Sequence, residues 1–253
     1  CLMAEPALVA DCVAAMRDEV ELPVTVKHRI GLGRNESHGF VRDFIGTVAE
    51  RGGCEVFIVH ARNAWLEGLS PKENREVPPL RHEVVHRLKA EFPRLTIAVN
   101  GGLETPDQIA QELAHVDGVM VGRRAYHHPW DMAQWDRTFF AGPDSSTVGG
   151  TPGTAALPEA AGPDRALDRD EVEEALVAYM VREQALRGTP WPQVARHMLG
   201  LRNGQPGARR WRKVWSDHRL RDRPPQEVAR LARAARLGTV EAAEPAAASA
   251  PAP

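Results

Sequence analysis

Residues 24–31 read VTVKHRIG, a short run of β-branched residues that ends at a glycine. Such a run is typical of a strand that is buried on both faces of a parallel sheet. Three further runs of this kind predict strands at 56–60, 96–99 and 119–121. Helical patterns separate the four strands, and this alternation predicts an α/β fold built from βα units.

The helices predicted around these strands carry apolar residues at helical spacing on one side. The first covers residues 6–19, and Cys12 on its apolar side is expected in the core. Thr105 and Gln108 form a capping box that marks the start of another helix. The remaining helices are predicted around 40–48, 84–92 and 131–139.

A parallel sheet with both faces covered is either doubly wound or closed into a barrel. The glycine-rich dinucleotide turn expected after the first strand of a doubly wound sheet is absent from this sequence. A (β/α)8 barrel of the TIM type needs eight units in about 250 residues, and only four are predicted here. Because the chain also begins at Cys1, directly before a helix, we expect residues 1–140 to form the second half of such a barrel.

The sequence changes character after residue 140. Residues 141–164 are rich in Gly, Pro, Ser, Thr and Ala and predict a flexible linker or insertion. Three helical patterns predict a small α-helical bundle over 165–237, and the Ala/Pro-rich stretch 238–253 is predicted to be disordered. Residues 182–236 contain 14 Lys and Arg against four Asp and Glu, which suggests a polyanionic partner.

Composition restricts the setting of the protein more than its function. With 253 residues and 43% hydrophobic content the chain is long enough for two packed units, and its formal charge of -2 is uninformative. The three cysteines form neither a disulfide framework nor a zinc motif, which favours a reducing, cytoplasmic setting. No apolar run reaches the length of a membrane span, so we expect a soluble protein with no membrane partner. We also expect a monomer that binds no metal.

Polar residues stand where each predicted strand ends, which is where barrel enzymes place their chemistry. Lys27 and His60 end the first two strands, and a cation beside a hydrogen-bond donor would stabilise negative charge on a reduced cofactor ring. The last two strands end in Asn100-Gly101-Gly102 and Gly122-Arg123. Glycines let backbone N–H groups approach phosphate oxygens, and a guanidinium adds a bidentate clamp, so these ends predict a phosphate site. A salt-bridged core lysine and ordinary tight turns are the alternatives.

The connection at 61–80 reads ARNAWLEGLSPKENREVPPL and is longer than most barrel loops. Its length and lack of periodicity indicate a functional loop. Lys72 and Arg75 lie together near the predicted rim. A solvated charged loop is the alternative interpretation.

Basic residues surround Trp211 in the predicted bundle. Arg209, Arg210, Arg212 and Lys213 cannot all share one helix face, because successive residues are about 100° apart. Arg209 and Arg212 lie three residues apart and therefore together. We expect this pair on the outer surface, with Arg210 pointing elsewhere and Trp211 in the core.

Several long strings of the sequence resemble one known family. They are VTVKHRIG at 24–31, FIVHARNAWLEGLSPKENREVPPL at 57–80, NGG at 100–102, DGVMVGRRAYHHPW at 117–130, RHMLGL at 196–201 and PGARRWR at 206–212. They are similar to the A-type bacterial tRNA-dihydrouridine synthases, over nearly all of residues 1–215 apart from the linker. The resemblance implies an enzyme that uses FMN and NADPH to reduce the C5–C6 bond of uridine in tRNA, in the D-loop near position 20.

The resemblance also implies residue roles. Lys27 and His60 would contact the flavin. The residues that would hold FMN and its phosphate are Asn100, Gly101, Gly102, Gly122 and Arg123, and those that would bind tRNA are Lys72, Arg75, Arg209 and Arg212. In this family the proton-donating cysteine lies in an Asn-x-Gly-Cys-Pro motif, which is absent here. We therefore assign no catalytic residue, do not assign Cys1, and expect the proton donor upstream of the chain.

Two other functions stay open. Another FMN-dependent TIM-barrel oxidoreductase, such as a dihydroorotate dehydrogenase, would share the phosphate site but would leave the basic bundle unexplained. An inactive tRNA-binding fragment is the second alternative, because half a barrel exposes two unpaired sheet edges.

Overall fold

A computed structural model describes residues 2–33, 37–140 and 167–239. The chain divides into two compact units, 1–124 and 125–253. The predicted linker 141–164 and nearly all of the predicted tail 238–253 lie outside the described residues. Across the described ranges no helix is both long and apolar enough to cross a membrane, and no three His, Cys, Asp or Glu side chains are grouped as metal ligands are.

The first unit contains one parallel sheet of four strands. They are β1 (Val26–Arg29), β2 (Val56–His60), β3 (Thr96–Asn100) and β4 (Gly118–Met120). Their order in the sheet is their order along the chain, with every pair parallel. A doubly wound sheet reverses its strand order at a switch point, whereas a barrel adds each strand beside the previous one. The predicted α/β class is confirmed, and the sheet matches four consecutive strands of a TIM-type barrel.

Helices connect the strands. They are α1 (Pro6–Glu19) before β1, α2 (His38–Gly52), α3 (His82–Glu91) and α4 (Pro106–Leu113) between strands, and α5 (Arg123–His127) after β4, with 3-10 turns at Leu2–Ala4 and Glu73–Arg75. Ser37 caps α2 by accepting from the Phe40 N–H, and Gly53 ends it with a left-handed φ of 67°. The capping box of Thr105 and Gln108 at the start of α4 is confirmed.

One face of the sheet is buried in the core. Phe57 and Val59 of β2 and Ile97 and Val99 of β3 are each 0% exposed. Helix residues that complete this core are Val41, Phe44, Ile45, Val48, Val85 and Leu88. Burying a side chain of this size stabilises a fold by about 1.5–3 kcal/mol. Strand residues of the other parity therefore point away from the core, to the opposite face of the sheet.

The buried side of α1 differs from the predicted one. Ala10 and Val13 are buried, whereas Cys12 is exposed and Leu8 is 50% exposed. The helix lies so close to α2 that a Cβ on Gly52 would be 2.9 Å from the Ala10 carbonyl oxygen. Small residues at this contact decide which side is buried, so the prediction that Cys12 is a core residue is wrong.

The second unit is a small α-helical bundle, as predicted. Its helices are α6 (Arg169–Arg187), α7 (Trp191–Ala195), α8 (Ala208–Trp215) and α9 (Pro225–Leu237), with a 3-10 turn at His218–Leu220. The predicted α-helix at 131–139 is instead a 3-10 helix, Pro129–Gln134, followed by a π-helical turn, Asp136–Phe140. Pro129 begins the 3-10 segment, and Asp131 donates to the His128 carbonyl in the tighter i to i−3 pattern.

A buried carboxylate organises the core of the bundle. Glu173 and Arg202 are each 3% exposed, and Arg202 Nη2 donates to Glu173 Oε2 at 2.6 Å. Glu173 Oε1 accepts from the indole nitrogens of Trp211 and Trp215 at 2.7 and 3.1 Å. Trp191 packs edge-on against Trp215, with ring centroids 5.5 Å apart. Trp211 is 0% exposed, so its predicted core position is confirmed.

Candidate functional site

Strand register places the predicted site residues on one face of the sheet. Arg29, His60 and Asn100 are direct partners across β1, β2 and β3, and they form one row. Lys27 lies two residues before Arg29 and therefore points to the same face. The sheet thus brings Lys27, His60 and Asn100 together at the carboxyl ends of the strands, which is where barrels hold ligands.

The intervening residue, His28, belongs to the core. It is 6% exposed and packs against the rings of Phe44 and Phe57. His28 Nδ1 lies 2.7 Å from the Arg29 carbonyl oxygen. Burial lowers the pKa of His28 to about 4, so the ring is neutral at pH 7 and takes no part in the ligand face.

His60 is surrounded by positive charge. Its pKa is lowered to about 4, first by burial and then by repulsion from Arg29, Lys27, Arg62 and Arg123. The pKa of Lys27 is lowered by partial desolvation and by Arg29. His60 is therefore a neutral imidazole at pH 7, inside a group of cations that favours an anionic ligand.

The turn after β3 has no room for side chains. Gly101 and Gly102 have φ values of 121° and 70°, which only glycine adopts readily. A Cβ on Gly101 would lie 2.8 Å from His60 Cδ2, and one on Gly102 would collide with Leu80 Cδ1. Asn100 fastens the turn to β4 because its side-chain nitrogen donates to the Met120 carbonyl at 2.7 Å. Gly102 is exposed and Gly101 is half-buried, and the phosphate site at this turn stays a prediction.

Arg123 follows β4 and reaches the connection 61–80, which we call the rim loop. Its Nη1 donates to Glu76 Oε1 at 2.7 Å and its Nη2 to the Arg75 carbonyl at 3.3 Å. The side chain is 53% exposed. An exposed ion pair of this kind contributes only about 0–1 kcal/mol, so it leaves the guanidinium available for a stronger partner. A Cβ on Gly122 would meet open space.

Two arginines, Arg29 at the end of β1 and Arg62 two residues after β2, anchor the rim loop. Arg29 Nη1 donates to the carbonyls of Asn63 and Asn74, each at 2.9 Å. Arg62 donates to the carbonyl of Glu76 at 3.1 Å and also to that of Pro78. Both are cations whose pKa is lowered by burial and by neighbouring arginines. In the sequence, the alternation of side chains along β1 already indicates that Arg29 lies on the same face of the sheet as Lys27.

The rim loop is an ordered element with an exposed basic turn. Asn74 clasps it internally, because its side chain accepts from the Trp65 N–H at 2.9 Å and donates to the Trp65 carbonyl at 2.7 Å. Lys72 and Arg75 stand beside Asn74 at the 3-10 turn, and both are exposed. The structure therefore places both predicted tRNA-binding residues of this unit on its surface.

Helix α8 separates its basic residues as predicted. Arg209 and Arg212 are exposed, three residues apart, on either side of the buried Trp211. Arg210 turns toward α9 and donates to the carbonyls of Ala235 and Arg236 at 2.7 and 3.0 Å. Arg210 thus satisfies the carbonyl end of α9, while Arg209 and Arg212 face solvent.

Comparison with known proteins assigns the chain to a family. The family model for dihydrouridine synthase (Dus) matches residues 1–236. The chain is 47% identical over 218 residues to the tRNA-dihydrouridine(20/20a) synthase of Yersinia pestis. The matched residues make up 86% of this chain and 57% of that protein. Proteins of the same name from Escherichia coli K12 and Vibrio cholerae are 48% and 46% identical over 86% of this chain and 57% and 59% of their own lengths. The chain thus spans less than two thirds of the curated relatives it matches, and it belongs to the dihydrouridine synthase family.

Proposed function

We propose that the protein uses FMN and NADPH to reduce the C5–C6 bond of uridine to dihydrouridine in tRNA, in the D-loop near position 20. The observation that carries the proposal is the row of Arg29, His60 and Asn100 beside the glycine turn at 101–102. Membership of the dihydrouridine synthase family supports the reaction, and the names of the relatives support the position.

The residues present fit FMN by shape and by charge. Gly101 and Gly102 have no side chains that would keep a ligand from their backbone N–H groups. His60 and Leu80 occupy the positions that Cβ atoms would take. Lys27, Arg29 and Arg123 supply positive charge around the same strand ends. A phosphate monoester needs both features, because its oxygens accept from backbone N–H groups and its charge requires cations.

We assign the residues to parts of the cofactor on this basis. Lys27 and His60 would contact the flavin, and Asn100 to Gly102 with Gly122 and Arg123 would hold FMN and its phosphate. When bound, FMN supplies the two-electron reduction of the uracil ring, with NADPH as the source of electrons. The neutral His60 imidazole donates one hydrogen bond at neutral pH, whereas Lys27 contributes a charge that offsets negative charge on the ring.

The exposed basic residues are assigned to tRNA. A target uridine must leave the base stack to reach a buried cofactor, and unstacking costs a few kcal/mol. Contacts to the RNA backbone elsewhere offset this cost. Lys72 and Arg75 of the rim loop and Arg209 and Arg212 of α8 are exposed cations suited to phosphate contacts.

The proton donor stays a prediction. The family motif Asn-x-Gly-Cys-Pro does not occur in these 253 residues, and Cys1 lies outside the described residues.

The direct test is product analysis with the full-length protein. Purified protein, NADPH and an unmodified tRNA transcript are incubated, and the tRNA is digested and analysed by mass spectrometry. We expect dihydrouridine at position 20 or 20a, and none without NADPH. A matched transcript with cytidine at both positions should give no product. Unmodified uridine at every position of the first transcript would contradict the proposal.

A further inference from the structure

His82, the first residue of α3, lies between two acceptors. Its Nε2 is 2.8 Å from the Gly101 carbonyl oxygen, and its Nδ1 is 3.1 Å from Glu112 Oε1. A carbonyl oxygen only accepts, so the His82 Nε2–H donates to Gly101. The ring thus bridges the glycine turn and the Glu112 side chain.

Glu112 contacts two histidines of α3. It is 8% exposed, and its second oxygen, Oε2, lies 2.8 Å from His86 Nε2. Each oxygen of this side chain therefore lies beside one imidazole. His86 in turn stacks on His115 with ring centroids 4.3 Å apart. The charged and titratable groups next to His82 are its chain neighbours Arg81 and Glu83, Glu112 from α4, and His86 one turn along α3, with His115 beyond it.

The bond from His82 fixes the direction of a backbone donor. In a trans peptide the carbonyl and the following N–H point in opposite directions, so anchoring the Gly101 carbonyl also aims the Gly102 N–H. Within the described residues, that N–H makes no hydrogen bond. Leu80 packs against Gly102 and prevents any side chain there. The Gly102 N–H is thus a fixed donor that points away from His82.

We propose that His82, held by Glu112, is a positioning residue that aims the Gly102 N–H at the phosphate of FMN. This inference rests on the proposed function, since it takes FMN as the ligand. His82 itself contacts only the turn and Glu112 and is not a catalytic residue.

The proposal separates two amide substitutions of similar size. The side-chain nitrogen of Gln stands near the position of His Nε2, whereas that of Asn stands near His Nδ1. In His82→Gln the donor to the Gly101 carbonyl is kept, and in His82→Asn it is lost. His86→Asn is the matched control, because His86 bonds to the same Glu112 carboxylate without touching the turn.

The experiment measures the affinities of FMN and riboflavin for the deflavinated full-length protein by titration. Riboflavin has the same ring without the phosphate. We expect His82→Asn to weaken FMN binding about tenfold, the loss of one hydrogen bond to an anion, while riboflavin binding is unchanged. His82→Gln and His86→Asn should bind both ligands within about threefold of wild type.

The outcomes separate the claims. Equal loss of FMN and riboflavin binding in His82→Asn would show that the residue only stabilises the fold, and would overturn the inference. Unchanged FMN binding in His82→Asn would also overturn the inference about His82, but it would not affect the proposed function. A wild-type protein that binds neither ligand would overturn the proposed function and this inference with it.

Discussion

The two units of the chain use buried and half-buried charge in opposite ways. In the bundle, Arg202 is buried against Glu173, so the charges cancel within the protein. At the strand ends, burial and the neighbouring Arg29 lower the pKa of Lys27, and burial with Arg62 and Arg75 lowers the pKa of Arg29. Compensated charge holds a fold together, whereas uncompensated charge is a cost that a bound anion can offset. The difference supports the proposal that the first unit binds the anionic cofactor.

The largest effect should come from breaking the compensated charge. Glu173→Gln leaves the buried Arg202 with Asp170 as its remaining carboxylate and weakens the acceptor of two indoles. We expect a loss of about 1.5–3 kcal/mol in the free energy of unfolding of the bundle, because buried hydrogen bonds to a charged group are weakened. Urea unfolding of the full-length protein, followed by tryptophan fluorescence, measures it.

The matched control is Glu174→Gln, which removes the exposed partner of Arg233. Its unfolding free energy should change by less than about 1 kcal/mol. A loss of the same size in both variants would mean that burial of Glu173 has no special role.

Removing uncompensated charge should act on the ligand and not on the fold. Lys27→Met takes away a cation that Arg29 repels. We expect the unfolding free energy to stay within about 0.5 kcal/mol of wild type, while FMN affinity falls roughly tenfold. Denaturant unfolding and FMN titration of the same variant test this. A Lys27→Met protein that unfolds more easily but binds FMN normally would show that Lys27 stabilises the fold and not the ligand.

The pH dependence of stability should report the same charge cluster. His60 has a folded pKa of about 4 against 6.5 as its ordinary value, so the unfolded chain binds a proton before the folded one does. Stability is then fully present above about pH 6.5 and is lost as the pH falls toward 4. Because His60 is only partly buried, the loss is smaller than the full shift implies.

His60→Gln should flatten part of this loss. His28 contributes to the remaining loss, because burial lowers its pKa to about 4 as well. Denaturant unfolding at several pH values between 4 and 7 compares His60→Gln with wild type. Identical pH dependence in the two proteins would show that the fold does not lower the pKa of His60.

The smallest effect concerns α8. Replacing Arg209 and Arg212 with Ala should weaken tRNA binding and reduce its salt dependence by up to about two charges. Arg210→Ala is the control, because Arg210 bonds to α9 and should change stability without changing the salt dependence. Titrations of tRNA at several salt concentrations decide this. An unchanged slope in the double variant would leave tRNA binding to Lys72 and Arg75.

Much of the first unit could be predicted because its determinants are local. Four β-branched runs predicted the strands, and parallel strands necessarily bring their carboxyl ends to one edge, which grouped Lys27, His60 and Asn100. The anchoring of the rim loop by Arg29 and Arg62 could not be predicted, since it depends on where distant carbonyls lie. Contacts of this kind join residues far apart in sequence.

The other features that the sequence predicted wrongly or not at all also have physical explanations. Cys12 shares the apolar pattern of α1, but the helix packs through the smaller Ala10. Helix α9 was not predicted because its buried positions, Val228 and Ala232, include an alanine that gives little apolar contrast. The His82–Glu112 pair joins two helices 30 residues apart and had no motif to mark it.

The central claim is that the strand ends hold the phosphate of FMN. The most direct measurement is the flavin content of purified full-length protein, by absorbance, in wild type, Arg123→Ala and Glu76→Gln. Glu76 is the present partner of Arg123, so its variant frees the guanidinium. We predict a yellow wild type, loss of FMN on dilution from Arg123→Ala, and retention at least equal to wild type in Glu76→Gln. Full and equally tight FMN occupancy in Arg123→Ala would contradict the claim.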